Sequence, residues 1–198
     1  INSILNKLGI IENDISSDDI GYKIAPLINA VGRIGEPKLI INLLSNSSES
    51  EIKKLTKECF SINKERKRIT EKIMEEALII ALKEYAANKQ FLVITNRKWH
   101  AGIIGIVAAR IVEKFNLPTA ILTATSDGIF RGSIRSNNKI NVSLALNECT
   151  EILIAHGGHS AAAGFSIKEE NITKLKETLN NIAIRKFNNC NLYKTLNP

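Results

Sequence analysis

Phe91-Leu92-Val93-Ile94-Thr95, the segment Gly102 to Lys114, and Thr119-Ala120-Ile121-Leu122-Thr123 form the stretch that decides the fold. The first and last are short apolar runs rich in β-branched residues, the pattern of strands buried on both faces. Between them, two glycines open a segment whose apolar residues recur at helical spacing. Strand, helix and strand in that order predict a β-α-β unit with a right-handed crossover, and so an α/β class. Working downstream, Asp127-Gly128 reads as a hairpin turn into a strand over Ile129–Ser136. Asn141 is placed to cap a helix from Val142 to Glu151. A loop over His156–Gly164 then leads into a short strand, Gly164 to Ile167, and a closing helix from about Glu169 to Phe187.

Upstream, no Gly or Pro occurs from Ser50 to about Ala87. Ile52, Leu55, Cys59, Ile62, Ile69 and Ile73 follow alternating three- and four-residue steps, with Arg66 at the missing position. This predicts one helix about 55 Å long, too long for a single small core and suited to bridging two bodies. Lys53, Lys54, Lys57, Lys64, Arg66, Lys67, Arg68 and Lys72 lie on its outer face, which fits a solvated surface or contact with nucleic acid. Before it, Glu12 to Asp19 reads as a polar loop with helix-capping potential, and residues 21–35 are dense in Gly, Pro and Asn. A short helix is predicted from about Lys38 to Leu44, closed by the Ser/Asn run at 45–48. No internal repeat or long linker is present.

Composition narrows the function classes. Lys and Arg outnumber Asp and Glu by 27 to 20, a formal charge of +7 that favours polyanionic partners or simply solubility. Cys59, Cys149 and Cys190 are scattered and form no C-x-x-C pair, which argues against a thiolate zinc site or disulfide framework and suits a reducing cytoplasm. No apolar run reaches the ~18 residues of a membrane span. The chain begins Ile1-Asn2-Ser3-Ile4, without Met or a signal peptide, and reads like the middle of a longer protein.

Four constellations can carry chemistry. In His156-Gly157-Gly158-His159-Ser160-Ala161-Ala162-Ala163-Gly164, paired glycines permit backbone N–H groups to converge on an anion beside an imidazole. The same residues also suit a tight turn with a buried histidine. Trp99-His100-Ala101-Gly102-Ile103-Ile104-Gly105 begins where a strand ends and a helix starts, a common ligand position in α/β proteins, and Arg110 follows on that helix. Arg131-Gly132-Ser133-Ile134-Arg135-Ser136 places Arg131, Ser133 and Arg135 on one strand face, open to phosphate oxygens or to solvent. Ile28-Asn29-Ala30-Val31-Gly32-Arg33 is weak by itself. No carboxylate cluster suits a two-metal phosphodiesterase, and no phosphate-binding G-x-x-x-x-G-K-S/T loop, G-x-S-x-G elbow or H-E-x-x-H occurs. Aromatic residues are few, leaving Trp99 and Phe130 as candidates for base stacking.

In order and spacing the four segments resemble one family. Gly157-Gly158-His159-Ser160-Ala161-Ala162-Ala163-Gly164 resembles the G-G-H-x-x-A-A-G signature of the DHHA1 domain in the DHH phosphoesterase superfamily. The other three segments resemble the RecJ branch of single-strand-specific DNA exonucleases, over about Ile24 to Ala183. The resemblance implies a DHHA1-like α/β domain with a central sheet flanked by helices, preceded by a long connecting helix. It implies four parts: residues 1–48 as the remnant of an upstream DHH catalytic domain, 49–87 as the helix, 88–187 as the substrate-binding domain and 188–198 as a tail. The implied parent enzyme is a 5′→3′ exonuclease of DNA repair and recombination using Mn²⁺ or Mg²⁺, with no metal or catalytic residue in this chain. The implied partners are single-stranded DNA and the upstream domain, with no membrane. By carry-over, Gly157, Gly158 and His159 line a phosphate pocket, Arg135, Ser136 and His100 contact the DNA backbone, and Arg33 and Arg110 lie nearby. One departure is Leu27, where the family usually has Arg. A nucleotide or oligoribonucleotide phosphodiesterase of the same superfamily and an RNA-binding appendage related to alanyl-tRNA synthetases are the alternative readings.

Overall fold

The computed structural model describes residues 1–46, 48–125, 128–137 and 139–196, without the side chains of Glu12 and residues 189–196. Chain contacts divide it into two compact units, Ile1–Glu71 and Lys72–Pro198.

The first unit is helical: α1 (Asn2–Leu8), a π-helical segment (Asp19–Ile24) running into α2 (Ala25–Ile34), α3 (Lys38–Ser45), and the first part of α4 (Glu49–Ala86). The capping potential expected between Glu12 and Asp19 is realised by Ser16 and Asp19. The Ser16 amide donates to Asp19 Oδ2 (3.1 Å), while the Asp19 amide donates to Ser16 Oγ (3.1 Å), a reciprocal box that satisfies two amides at the helix start. Residues 25–34 are helical despite their Gly, Pro and Asn content. Pro26 sits in the first turn of α2, just after the π-helical segment. Leu27 is 1% exposed and packs with Ile4, Val31, Leu39, Leu43 and Cys59 in the core of this unit. Ile52, Leu55 and Ile62 of the predicted stripe pack against the same core. Position 27 therefore holds an inward apolar anchor. The closure expected at 45–48 falls partly on Ser47, outside the described residues.

In the second unit, α4 contributes Ile73, Ala77 and Ala81, all buried. The strand, helix and strand of the opening stretch are β1 (Leu92–Thr95), α5 (Ile104–Phe115) and β2 (Thr119–Ala124), with β1 and β2 parallel. Asn116 ends α5 in the left-handed region at φ 55, a conformation Asn tolerates because its side chain can bond locally. β3 (Ile129–Arg135) returns antiparallel to β2. Gly128, at φ +70, precedes it; Asp127 of the expected turn lies outside the described residues. Asn141 caps α6 (Val142–Asn147) through a bond from the Leu144 amide (3.1 Å). That helix is shorter than predicted: the chain tightens into a 3₁₀ turn at Thr150–Ile152 that turns Ile152 into the core.

The larger correction concerns His156–Gly164. It is not a loop but a hairpin of β4 (Leu153–Gly158) and β5 (Ala162–Lys168). Glycine and alanine are poor strand formers, so the pairing of Gly157 with Gly164 and Gly158 with Ala163 is imposed by sheet context, not by propensity. The closing helix, α7 (Ile172–Leu196), runs beyond the predicted Phe187 and through most of the expected tail.

The five strands lie in the order β1-β2-β3-β5-β4. One sheet face presents Ala120, Leu122, Phe130, Ile134, Ala163, Phe165 and Ile167, packed with Leu146, Leu175 and Leu179 from α6 and α7. On the other face α5 packs over β2 and β3. Strand alternation carries Arg131, Ser133 and Arg135 to that second face, as expected, with Ala162, Gly164 and Ser166 beside them on β5.

Candidate nucleic-acid interface

Over β3, β5 and β4 the second face of the sheet carries small and cationic side chains. Its rows, read across β3, β5 and β4, are Arg131, Ser166 and Ala155, then Ser133, Gly164 and Gly157. The third is Arg135 beside Ala162, whose carbonyl accepts from the His159 amide (2.8 Å). A shallow depression of about 270 Å³ opens along this surface, lined by Arg131, Ala155, Gly164 and Ser166 among others.

Arg135 is held in a defined pose. Its Nη1 donates to Ser133 Oγ (3.0 Å) and to the Ile134 carbonyl (2.7 Å). Gly105, in the first turn of α5, makes room: a Cβ there would stand 3.0 Å from both Arg135 Nη2 and Ser133 Oγ. The guanidinium thus lies against the first turn of α5. The service of Gly105 to Arg135 became visible only in the fold.

The glycines separate into two kinds. Gly158 has φ +149, and a Cβ on it would meet Ala162 O and Ala163 Cα at 2.5 Å, so the hairpin itself requires glycine. Gly132 is likewise structural: a Cβ would enter the Phe165 ring at 2.1 Å, on the core face. Gly157 and Gly164 differ. Neither has a positive φ, a Cβ on Gly157 would meet nothing within 4 Å, and one on Gly164 only Gly132 O at 3.8 Å. Interior strand glycine weakens a strand by roughly 0.5–1 kcal/mol, and it marks places where another molecule or backbone comes close.

His159 and Ser160 are exposed at the hairpin tip. The tip is anchored by bonds from the Ser136 amide to the Ala161 carbonyl and from the Val142 amide to the Ser160 carbonyl, both 2.9 Å. Because the His159 amide is spent on Ala162, the expected nest of N–H groups does not form through it. His156, by contrast, is half-buried, with Nε2 3.2 Å from Thr150 Oγ1. Ser136 Oγ is shielded from solvent and has no hydrogen-bond partner among the described residues.

The remaining candidates sit elsewhere. His100 is exposed in the β1–α5 loop, its Nδ1 accepting from the Gly102 amide (3.1 Å), which leaves the proton on Nε2. Arg110 is exposed on α5, beside the buried Ile111. Arg33, in the first unit, lines a depression of about 480 Å³ with Ile28, Asn29 and Gly32. Trp99 and Phe130 are not free to stack on bases. Trp99 is 6% exposed and donates Nε1–H to Glu76 Oε2 (2.8 Å); Phe130 is 3% exposed in the core. Among the described residues no three His, Cys, Asp or Glu side chains converge to hold a metal ion. No described helix is long and apolar enough to cross a membrane.

The family model that describes the DHHA1 domain matches residues 88–184. Residues 88–184 are a DHHA1 domain. The match runs from just after α4 into α7, so the hairpin, β3 and the start of α5 all belong to the DHHA1 domain. In an alignment of 188 positions that takes in 90% of the chain, it is 32% identical to the single-stranded-DNA-specific exonuclease RecJ of Bacillus subtilis. The RecJ of Thermus thermophilus is 31% identical over 151 residues, 76% of the chain. A crystal structure of the T. thermophilus RecJ with Mn²⁺ superposes with a TM-score of 0.83 at 28% identity, covering 93% of this chain and 26% of that one. Another, of an exonuclease RecJ bound to manganese, gives 0.78 at 27% identity, covering 92% of this chain and 44% of that one. The chain spans 24% and 21% of the lengths of the two curated relatives. The likeness extends beyond the DHHA1 domain, through α4 and the helices before it.

Proposed function

We propose that this chain is the substrate-holding part of a RecJ-like 5′→3′ exonuclease that degrades single-stranded DNA in cytoplasmic repair and recombination. The observation that carries the reading is the Cβ-free surface at Gly157 and Gly164, with the seated Arg135 at its border. It has the parts a phosphate backbone needs: a guanidinium that binds oxygens in pairs, a helix start, and no side chain to keep the strand away. It has few means of reading bases, which suits an enzyme that digests without regard to sequence. Gly157, Gly158, His159, Arg135, Ser136 and His100 are proposed as the backbone contacts, with Arg110 on the same domain and Arg33, in the first unit, as further candidates. The phosphodiester chemistry, with the Mn²⁺ or Mg²⁺ present in the solved relatives, is assigned to a DHH domain outside these 198 residues. The full chain should bind a labelled single strand more tightly than a duplex or tRNA, with affinity falling as salt rises because phosphate contacts release counterions. Salt-independent binding, or none, would overturn the reading. Digestion by this chain with Mn²⁺ would overturn the assignment of the metal chemistry to another domain.

A further inference from the structure

The candidate contacts fall at two ends of the DHHA1 sheet. Arg135, Gly158 and His159 lie where β3 ends and the hairpin turns. His100 lies at the other end: the carbonyl of its neighbour Trp99 accepts from Thr123 Oγ1 (2.7 Å), and Thr123 is the register partner of Arg131. Arg131 stands in the row of Thr123, at that second end, on the same face as Ser133 and Arg135 and at the border of the 270 Å³ depression. It is exposed and has no ion-pair partner among the described residues, whereas Arg97 and Arg185 are each paired with a glutamate. No acidic side chain shares its cross-strand row, which continues as Ser166 and Ala155.

We infer that Arg131 is a second phosphate contact, about 13 Å along β3 from Arg135 at ~3.3 Å per residue. A bound strand then runs parallel to β3, beside α5 and over the open rows of β5 and β4, from the His159 hairpin towards Arg131 and the His100 loop. This rests on the proposed single-strand-binding reading and adds the path of the strand to it. A site confined to the hairpin would be served by Arg135 alone. A strand following the sheet must pass Arg131, whose fork can take one more phosphate.

The test measures binding to the 198-residue chain of a fluorescent oligothymidylate of about ten nucleotides, with a dinucleotide as competitor, across a salt series. Arg131→Ala should weaken the longer strand about fivefold to tenfold and reduce the slope of log affinity against log salt by about 0.7, the increment for one phosphate on a single strand. The dinucleotide, held at Arg135, should compete unchanged. Arg135→Ala should weaken both ligands. If Arg131→Ala binds the longer strand with wild-type affinity and slope while Arg135→Ala fails on both, the path is wrong and the binding reading stands. If neither substitution matters, or wild-type chain binds no single strand, the binding reading falls and takes the path with it. Arg131 is exposed, so an unchanged melting temperature will show that its variant is folded.

Discussion

Gly157 and Gly164 offer a test in which stability and binding move in opposite directions. Replacing either by Ala adds a methyl that the fold can accept: nothing lies within 4 Å of the Gly157 Cβ position, and only Gly132 O, at 3.8 Å, near that of Gly164. Since neither φ is positive, the change mainly reduces the freedom of the unfolded chain. That is worth about 0.4–1 kcal/mol, or a rise of about 1–4 °C in a chain of this size. If a DNA backbone lies on this surface, the methyl holds it off by about a bond length. A hydrogen bond to a charged group does not survive such a displacement. Losing one costs about 1.5–3 kcal/mol, roughly tenfold to a hundredfold in affinity. Differential scanning fluorimetry and single-strand binding by fluorescence anisotropy read the two effects on the same samples. Gly158→Ala is the control. Its Cβ would stand 2.5 Å from Ala162 O at φ +149, so it should lower stability by about 1–3 kcal/mol. Wild-type affinity in both Gly157→Ala and Gly164→Ala would refute the placement of the strand.

Further outcomes follow from the structure. Gly105→Ala should displace the Arg135 guanidinium and weaken single-strand binding severalfold. Its effect on melting should be small, because the helical gain of about 1 kcal/mol offsets the crowding; unchanged binding would show that the pose of Arg135 does not matter. Trp99 is the only tryptophan, and its buried ring should keep its emission on DNA addition; quenching that saturates with the strand would mean it stacks on a base after all. Burial pushes the Cys59 and Cys149 thiols up to about 11, each helped by the adjacent Glu58 or Glu148 carboxylate. At pH 8 peptide mapping should find both unalkylated in the native chain and modified after denaturation. Because the unfolded thiols ionise first, near pH 9, their contribution to stability is complete below that pH and should fade as pH rises towards 11. Melting temperatures that stay level from pH 9 to 11 would contradict this.

The order of elements was legible in the sequence because periodicity is local. Ile52, Leu55, Cys59, Ile62 and Ile73 mark a helix wherever it lies, and Phe91–Thr95 and Thr119–Thr123 mark buried strands. The side-chain alternation of Arg131, Ser133 and Arg135 needed only the pleat of one strand. The family likeness, too, was carried by short motifs in order. What propensity could not reveal was that His156–Gly164 is two paired strands. Glycine and alanine have no local preference for them, and the hydrogen bonds that hold them come from β3 and from each other. Nor could residue type alone tell Gly158 and Gly132, which the fold needs, from Gly157 and Gly164, which it does not. The buried fates of Trp99 and Leu27 were hidden for the same reason. Which glycine faces open space, and which aromatic faces Glu76, depends on elements distant in sequence meeting across a sheet. Residue kinds and spacings determined the class of this protein, most of its elements and its candidate phosphate contacts. The tertiary structure alone decided which of them share a surface, because that depends on long-range pairing and packing.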